Sequence, residues 1–209
     1  MKKVLIIALT LCVLLVLFAG CGSSGDDAES VNIPYEKGIL TENGFESKYL
    51  GIRFTAPEGF VMATEDYIFS LLDIGADMMM GESSEFVDYA KLATVYEMMV
   101  SAPDGWPNVI VMVEKLEQED ITVEQYFDIL KGQFSSMPSV NYGFSDITSV
   151  EIAGQTYQQM VATGEANDMA ATQKYILRKI DDRIVGFITT NGPDTESELD
   201  ILMGAFTKY

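Results

Sequence analysis

Apolar positions recur along this chain with two different periods, and the changes of period divide it into elements. Between Ile39 and Ser47 the stretch Glu42-Asn43-Gly44 separates two short apolar runs, which predicts a hairpin. Tyr49 to Ala56 alternates, with Leu50, Ile52 and Phe54 on one face, and stops at Pro57-Glu58-Gly59. That is a strand with a built-in end. At Thr64 the period changes. A helix cap is followed by Glu65 and Asp66 and then by Tyr67, Ile68, Leu71, Leu72 and Ile74, predicting a helix that runs toward Met78-Met79-Met80. Phe86 to Ala93 fits a short helix or a loop. Thr94 to Ala102 reads as extended, turns at Pro103-Asp104-Gly105 and leads into Val109-Ile110-Val111-Met112-Val113. Five consecutive apolar residues need cover on both faces. Thr122 and Gln125 then form a capping-box pattern ahead of Val123, Tyr126, Phe127, Leu130 and Phe134 at helical spacing.

From Val140 the period returns to two. Strands are predicted over Asp146 to Ile152 and Thr156 to Gly164 about a turn at Ala153-Gly154, and over Lys174 to Ile180 and Arg183 to Thr190 about Asp181-Asp182. In the second pair Ile176 and Ile180 face one way and Tyr175 and Leu177 the other, so it also needs cover on both sides. Thr195 and Glu198 form another capping-box pattern, and Leu199, Leu202, Met203 and Phe206 predict a closing amphipathic helix. The fold class is therefore α/β: a mostly antiparallel sheet sandwiched between helices, in a single domain from residue 35 to 209. The run from Tyr49 to Phe60, the segment Val150 to Tyr157 and the Lys174 to Thr190 hairpin together resemble the Mog1/PsbP-like α/β/α fold, found in many exported bacterial lipoproteins. Members of that fold include an extrinsic photosystem subunit and a partner of a nuclear-transport GTPase. The motifs shared are structural, so the resemblance implies a fold and brings no catalytic residue with it.

The first twenty residues follow neither period. Lys2 and Lys3 precede an unbroken apolar run from Val4 to Phe18, which ends in Ala19-Gly20-Cys21. This is the layout of an export signal. It resembles the bacterial lipoprotein signal, with Phe18 where the lipobox usually has Leu and Leu17 one place earlier. The resemblance implies cleavage before Cys21 and a diacylglycerol on its thiol. An uncleaved transmembrane anchor is the alternative; its apolar run is shorter than the roughly 20 residues a spanning helix needs. Residues 21 to 34, with Gly-Ser-Ser-Gly and Asp-Asp-Ala-Glu-Ser, read as a flexible tether.

Charge and residue types narrow the function. Loss of Lys2 and Lys3 with the signal leaves 11 basic against 32 acidic residues, a net of −21, which argues against a nucleic-acid partner. Such a domain is also repelled by an anionic bilayer, so the lipid on Cys21 and not the protein surface provides the membrane attachment. Once Cys12 leaves with the signal and Cys21 carries lipid, no thiol remains for a disulfide, a metal or catalysis, and the chain has no histidine. No Gly-x-Ser-x-Gly elbow, Ser-x-x-Lys motif or phosphate-binding glycine loop occurs. Glu117, Glu119 and Asp120, and the pair Asp181 and Asp182, are oxygen-rich but lack calcium-loop spacing, so they read as solvated turns. No cofactor and no catalytic residue is assigned.

Two apolar features are left over. Met78, Met79 and Met80 read either as core filling or as an adaptable contact surface. Trp106, the only tryptophan, reads either as a lid on the end of the sheet or as an interface anchor. The function expected is a non-enzymatic binding or assembly module, anchored to the membrane on its extracytoplasmic face and meeting another envelope protein. Its candidate interaction residues are Met78, Met79, Met80 and Trp106. A hydrolase working with carboxylates and hydroxyls alone is the alternative.

Overall fold

A computed structural model of the chain describes residues 34–70, 94–135, 140–166 and 169–209. In order these form β1 (Ile39–Thr41), β2 (Gly44–Ser47), β3 (Ile52–Thr55) and β4 (Val61–Met62), a helical segment over residues 65–70, then β5 (Thr94–Ser101) and β6 (Asn108–Lys115). Helix α1 (Val123–Ser135) follows, then β7 (Asn141–Phe144), β8 (Thr148–Ile152), β9 (Gln155–Ala166), β10 (Met169–Ile180) and β11 (Arg183–Asn191). Helix α2 (Glu196–Gly204) and β12 (Phe206–Lys208) close the chain.

Eight of the strands make one antiparallel sheet in the order β4-β5-β6-β11-β10-β9-β7, with β8 also pairing β9. Its central strands are buried on both faces, as their apolar runs require: β6 is buried from Asn108 to Glu114 and β11 from Ile184 to Asn191. On one face lies α1, whose Val123, Tyr126, Phe127, Leu130 and Phe134 pack on Ile110, Met112, Tyr175 and Leu177. Each large apolar side chain buried there contributes on the order of 1.5–3 kcal/mol. The capping box forms reciprocally. Gln125 N–H donates to Thr122 Oγ1 (3.2 Å) and Thr122 N–H donates to Gln125 Oε1 (2.8 Å). Thr64 caps the 65–70 segment with a single bond, accepting from Tyr67 N–H at 3.3 Å. Gly186, midway along β11, sits in register between Met112 and Leu177 with φ +155°. A Cβ there would overlap the Ile176 carbonyl oxygen, so the close approach of β10 and β11 depends on glycine.

On the opposite face lies α2, through Leu199 and Leu202, so helices cover both faces of the antiparallel sheet. Besides α2, its cover is a second sheet of four strands, β1-β2-β3-β12, which presents Phe45, Ile52, Phe54 and Phe206 to Val109, Val111, Val185 and Phe187. Phe206 therefore does not extend the closing helix. It opens β12, pairs Phe54 in register and meets the Phe54 and Phe187 rings at 4.6 and 4.8 Å. Nor does Thr195 cap α2 through its side chain. Its hydroxyl instead accepts from Gly192 N–H at 3.0 Å, so it tightens the loop before the helix. Tyr67 belongs to the exposed side of its helical turn, and only Ile68 of that turn reaches the core. Elsewhere among the described residues the predicted elements form, though β3 is shorter than the Tyr49 to Ala56 run, β9 is longer at both ends and β10 begins earlier, at Met169, and ends as predicted at Ile180; the predicted helix past residue 70 and the stretch Phe86 to Ala93 lie outside the described residues. The hairpin turns are tight: Ala153-Gly154, with both residues at positive φ, and Asp181-Asp182, with Asp181 at φ 48°, lie where they were read, and the turn read at Glu42-Asn43-Gly44 is the two residues Glu42-Asn43, since Gly44 already pairs Thr41 in β2.

Candidate functional site

Two glutamates that the pattern had given no role lie inside the fold, one on each face of the main sheet. Glu114 directly follows the apolar run Val109 to Val113 of β6 and is only 4% exposed. Tyr126 on α1 donates its hydroxyl to Glu114 Oε2 at 2.6 Å. Burial raises the Glu114 pKa to about 7, and the Tyr126 hydrogen bond offsets only part of that cost. Thr94 stands opposite Glu114 in the β5–β6 register, and its buried Oγ1 has no protein partner among the described residues. This carboxyl is closed to any substrate. It serves as a clasp between helix and sheet.

Glu97 sits in β5 where the register shifts between Tyr96 and Met98, a bulge that re-aims its side chain. Its Oε1 accepts from the Tyr35 hydroxyl (2.9 Å) and its Oε2 from Gly38 N–H (2.8 Å), so it holds the segment that leads into β1. Burial raises its pKa, against the two hydrogen bonds and the nearby Lys37. Tyr35 is further fixed by the Arg183 guanidinium over its ring (4.6 Å) and by the edge of Tyr49 (5.2 Å). Its own pKa is raised, chiefly by burial and then by Glu97.

Outside that segment, Glu36, Lys37, Gly38, Ile39, Glu46, Lys48 and Tyr209 line a shallow groove of about 70 Å3 on the outer face of the small sheet. Ile39 is 67% exposed there, and Phe69, 60% exposed, has its ring centre 5.9 Å from Lys37 Nζ of the groove lining. Lys37 also pairs with Glu65 at 2.8 Å, which holds that carboxyl below its usual pKa. Arg53 stacks on Tyr209 at 4.3 Å and reaches Glu46 at 3.6 Å. The groove thus combines exposed apolar surface with paired charges. It is small and opens to solvent.

Of the residues singled out from sequence, Cys21, Met78, Met79 and Met80 lie outside the described residues. Trp106 lies in the loop between β5 and β6, is partly buried, and packs on Gly192; a Cβ at Gly192 would come within 2.9 Å of the indole. Its Nε1, with Asn108 Oδ1, Thr189 Oγ1 and Asn191 Oδ1, makes this end of the sheet a cluster of buried polar atoms without protein partners among the described residues. Asp182 is engaged with Lys115 (3.9 Å) and Arg183 (3.7 Å), and no group of three metal-ligating side chains occurs among the described residues. No helix among them is long and apolar enough to cross a membrane. Glu97 and Glu114 had one signal in the sequence, an acid in or directly after an apolar strand run. The partners Tyr35 and Tyr126, 62 and 12 positions away, had none.

No protein-family model matches the chain, and no curated protein matches it in sequence. Among solved structures it is similar to the cyanobacterial PsbP (CyanoP) of Synechocystis sp. PCC 6803, at 12% identity and a TM-score of 0.46, over 90% of this chain and 98% of that one. It is also similar to LpqN, involved in cell envelope biogenesis of Mycobacterium tuberculosis, at 12% identity and a TM-score of 0.42, over 75% of this chain and 82% of that one.

Proposed function

We propose that this chain is an extracytoplasmic lipoprotein, held to the membrane by diacylglycerol on Cys21, that works as a binding or assembly module and not as an enzyme. The observation that carries the reading is how the domain uses its groups. The two interior carboxylates are spent on clasps to its own Tyr35 and Tyr126, while Ile39, Phe69 and Tyr209 are left on an open, charged rim. An open surface of that kind suits a protein partner, and confinement near the bilayer raises the effective concentration of a weak one. The partner is another membrane-bound or envelope protein, and the net charge of the chain disfavours nucleic acid. Met78, Met79, Met80 and Trp106 remain the proposed contact residues, and the Ile39 rim is added to them as a separate surface.

Two measurements test this. Intact mass of the mature protein should give a chain beginning at an acylated Cys21, and Cys21→Ser should leave the membrane fraction; retention of residues 1–20 in the membrane-bound form refutes the anchor. Crosslinking in native membranes should then trap a protein partner through the Ile39 rim or Trp106 in the wild type and lose it in Ile39→Glu or Trp106→Ala. Turnover of a substrate by the purified domain, abolished by a single carboxylate substitution, would refute the non-enzymatic reading.

A further inference from the structure

The chain enters the fold at one pole of the main sheet, and Trp106 stands at the other. Strand β11 measures the separation. Arg183 at its start stacks on Tyr35, the first anchored residue of the domain, while Gly192 just past its end carries the Trp106 indole. Nine residue steps of strand separate Arg183 from Gly192, about 30 Å. Tyr35 cannot drift from its pole, because Glu97 accepts its hydroxyl at 2.9 Å, Glu97 also accepts Gly38 N–H at 2.8 Å, and Tyr49 abuts its ring at 5.2 Å. From these placements we infer that the lipid-anchored domain is oriented. The pole built from the β10–β11 hairpin and the turns beside it meets the bilayer headgroups, and the Trp106 pole points outward. The inference rests on the anchoring reading of Cys21.

Two independent features favour this orientation. The first is reach. Thirteen chain steps join Cys21 to Pro34, and a chain of that composition spans about 20 Å as a coil, less than the pole-to-pole distance. Turning the domain over would need the tether to run the length of its side. The second is charge. Around the hairpin, residues 48–51, 115–121, 153–155 and 178–183 hold five basic residues against five acidic ones. These turns are tied together: Arg178 and Gln155 both donate to the Leu50 carbonyl, and Leu116 N–H donates to Asp182 O. At the Trp106 pole, residues 101–108 and 190–196 hold Asp104, Asp194 and Glu196, and the one cation against them is Lys174, paired with Glu196 at 3.2 Å, which leaves a net of −2 against zero at the hairpin. A negative lipid surface therefore repels the Trp106 pole more than the hairpin pole.

The experiment uses the full lipidated protein in vesicles of phosphatidylglycerol and phosphatidylethanolamine that carry an energy acceptor on the headgroups. A donor dye is placed on a new cysteine at an exposed position of each pole, Glu117→Cys or Asp194→Cys; the acylated Cys21 does not react. Energy transfer from position 117 should be at least twofold more efficient than from position 194. Inserting some forty Gly/Ser residues into the tether should remove most of the difference. Equal transfer from the two positions, or stronger transfer from 194, in protein whose mass shows the acyl group overturns the orientation alone. Protein without that mass that does not float with the vesicles overturns the anchoring reading and the orientation with it.

Discussion

Replacing Glu114 by glutamine should stabilise this protein above neutral pH and leave it unchanged in mild acid. In the fold the Glu114 carboxyl titrates near pH 7, and in the unfolded chain at its ordinary value of 4.5. Between those values the folded state binds more protons than the unfolded one, so stability falls as pH rises through this window. The contribution of the protonated acid is fully present below about pH 4.5 and lost by about pH 7. A difference of 2.5 pH units at 1.36 kcal/mol each corresponds to about 3 kcal/mol. That is a large part of a typical total of about 5–15 kcal/mol. Glutamine keeps an oxygen for the Tyr126 hydroxyl and has no charged form to desolvate. Urea denaturation of both proteins from pH 4.5 to 9 supplies the assay, because subtracting the two curves cancels every other titrating group. The variant should match the wild type near pH 4.5 and exceed it by about 3 kcal/mol at pH 8. A difference that does not change with pH would refute the argument, since Glu114 would then titrate alike in both states.

Other substitutions probe the remaining links. Gly186→Ala drives a methyl into the Ile176 carbonyl at the centre of the sheet and should cost about 3 kcal/mol, visible as a large drop in melting temperature. Thr122→Ala removes one half of the α1 capping box and should cost about 1 kcal/mol by chemical denaturation. Met79→Ala should leave thermal stability nearly intact while weakening partner capture if Met79 is a contact residue, and a loss of about 2–5 kcal/mol would place it in the core instead. For Trp106→Ala, which uncovers Gly192, the same pair of readouts separates a lid from an anchor: melting alone changes for a lid, capture alone for an anchor.

Local chemistry was legible in the chain wherever an element's own residues decide it. The five core positions of α1 and its capping box follow from spacing within fourteen residues, because a helix face and its cap are set by neighbours in sequence. Tight turns at Ala153-Gly154 and Asp181-Asp182 were equally readable, since a two-residue link between apolar runs leaves few geometries, and the Asn43-Gly44 signal located the first hairpin to within one residue. Where the sequence misled, two structures competed for the same residues. Phe206 has the spacing of a helix position on α2, yet it gains more by pairing with Phe54 and closing a second sheet. Thr195 has a cap's identity, yet Gly192 N–H takes its hydroxyl.

What the chain alone determined is the alternation of strand and helix and the need of its central strands for cover on both faces, because apolar periodicity is a local property that burial must satisfy. Only the tertiary structure decided what supplies that cover, a helix on one side and a small sheet with α2 on the other. It alone also showed that Glu97 and Glu114 close on Tyr35 and Tyr126. A buried acid announces that it needs a donor. Which donor arrives depends on the packing of elements distant in sequence, and that choice also places Tyr35 and Trp106 at opposite poles of one sheet.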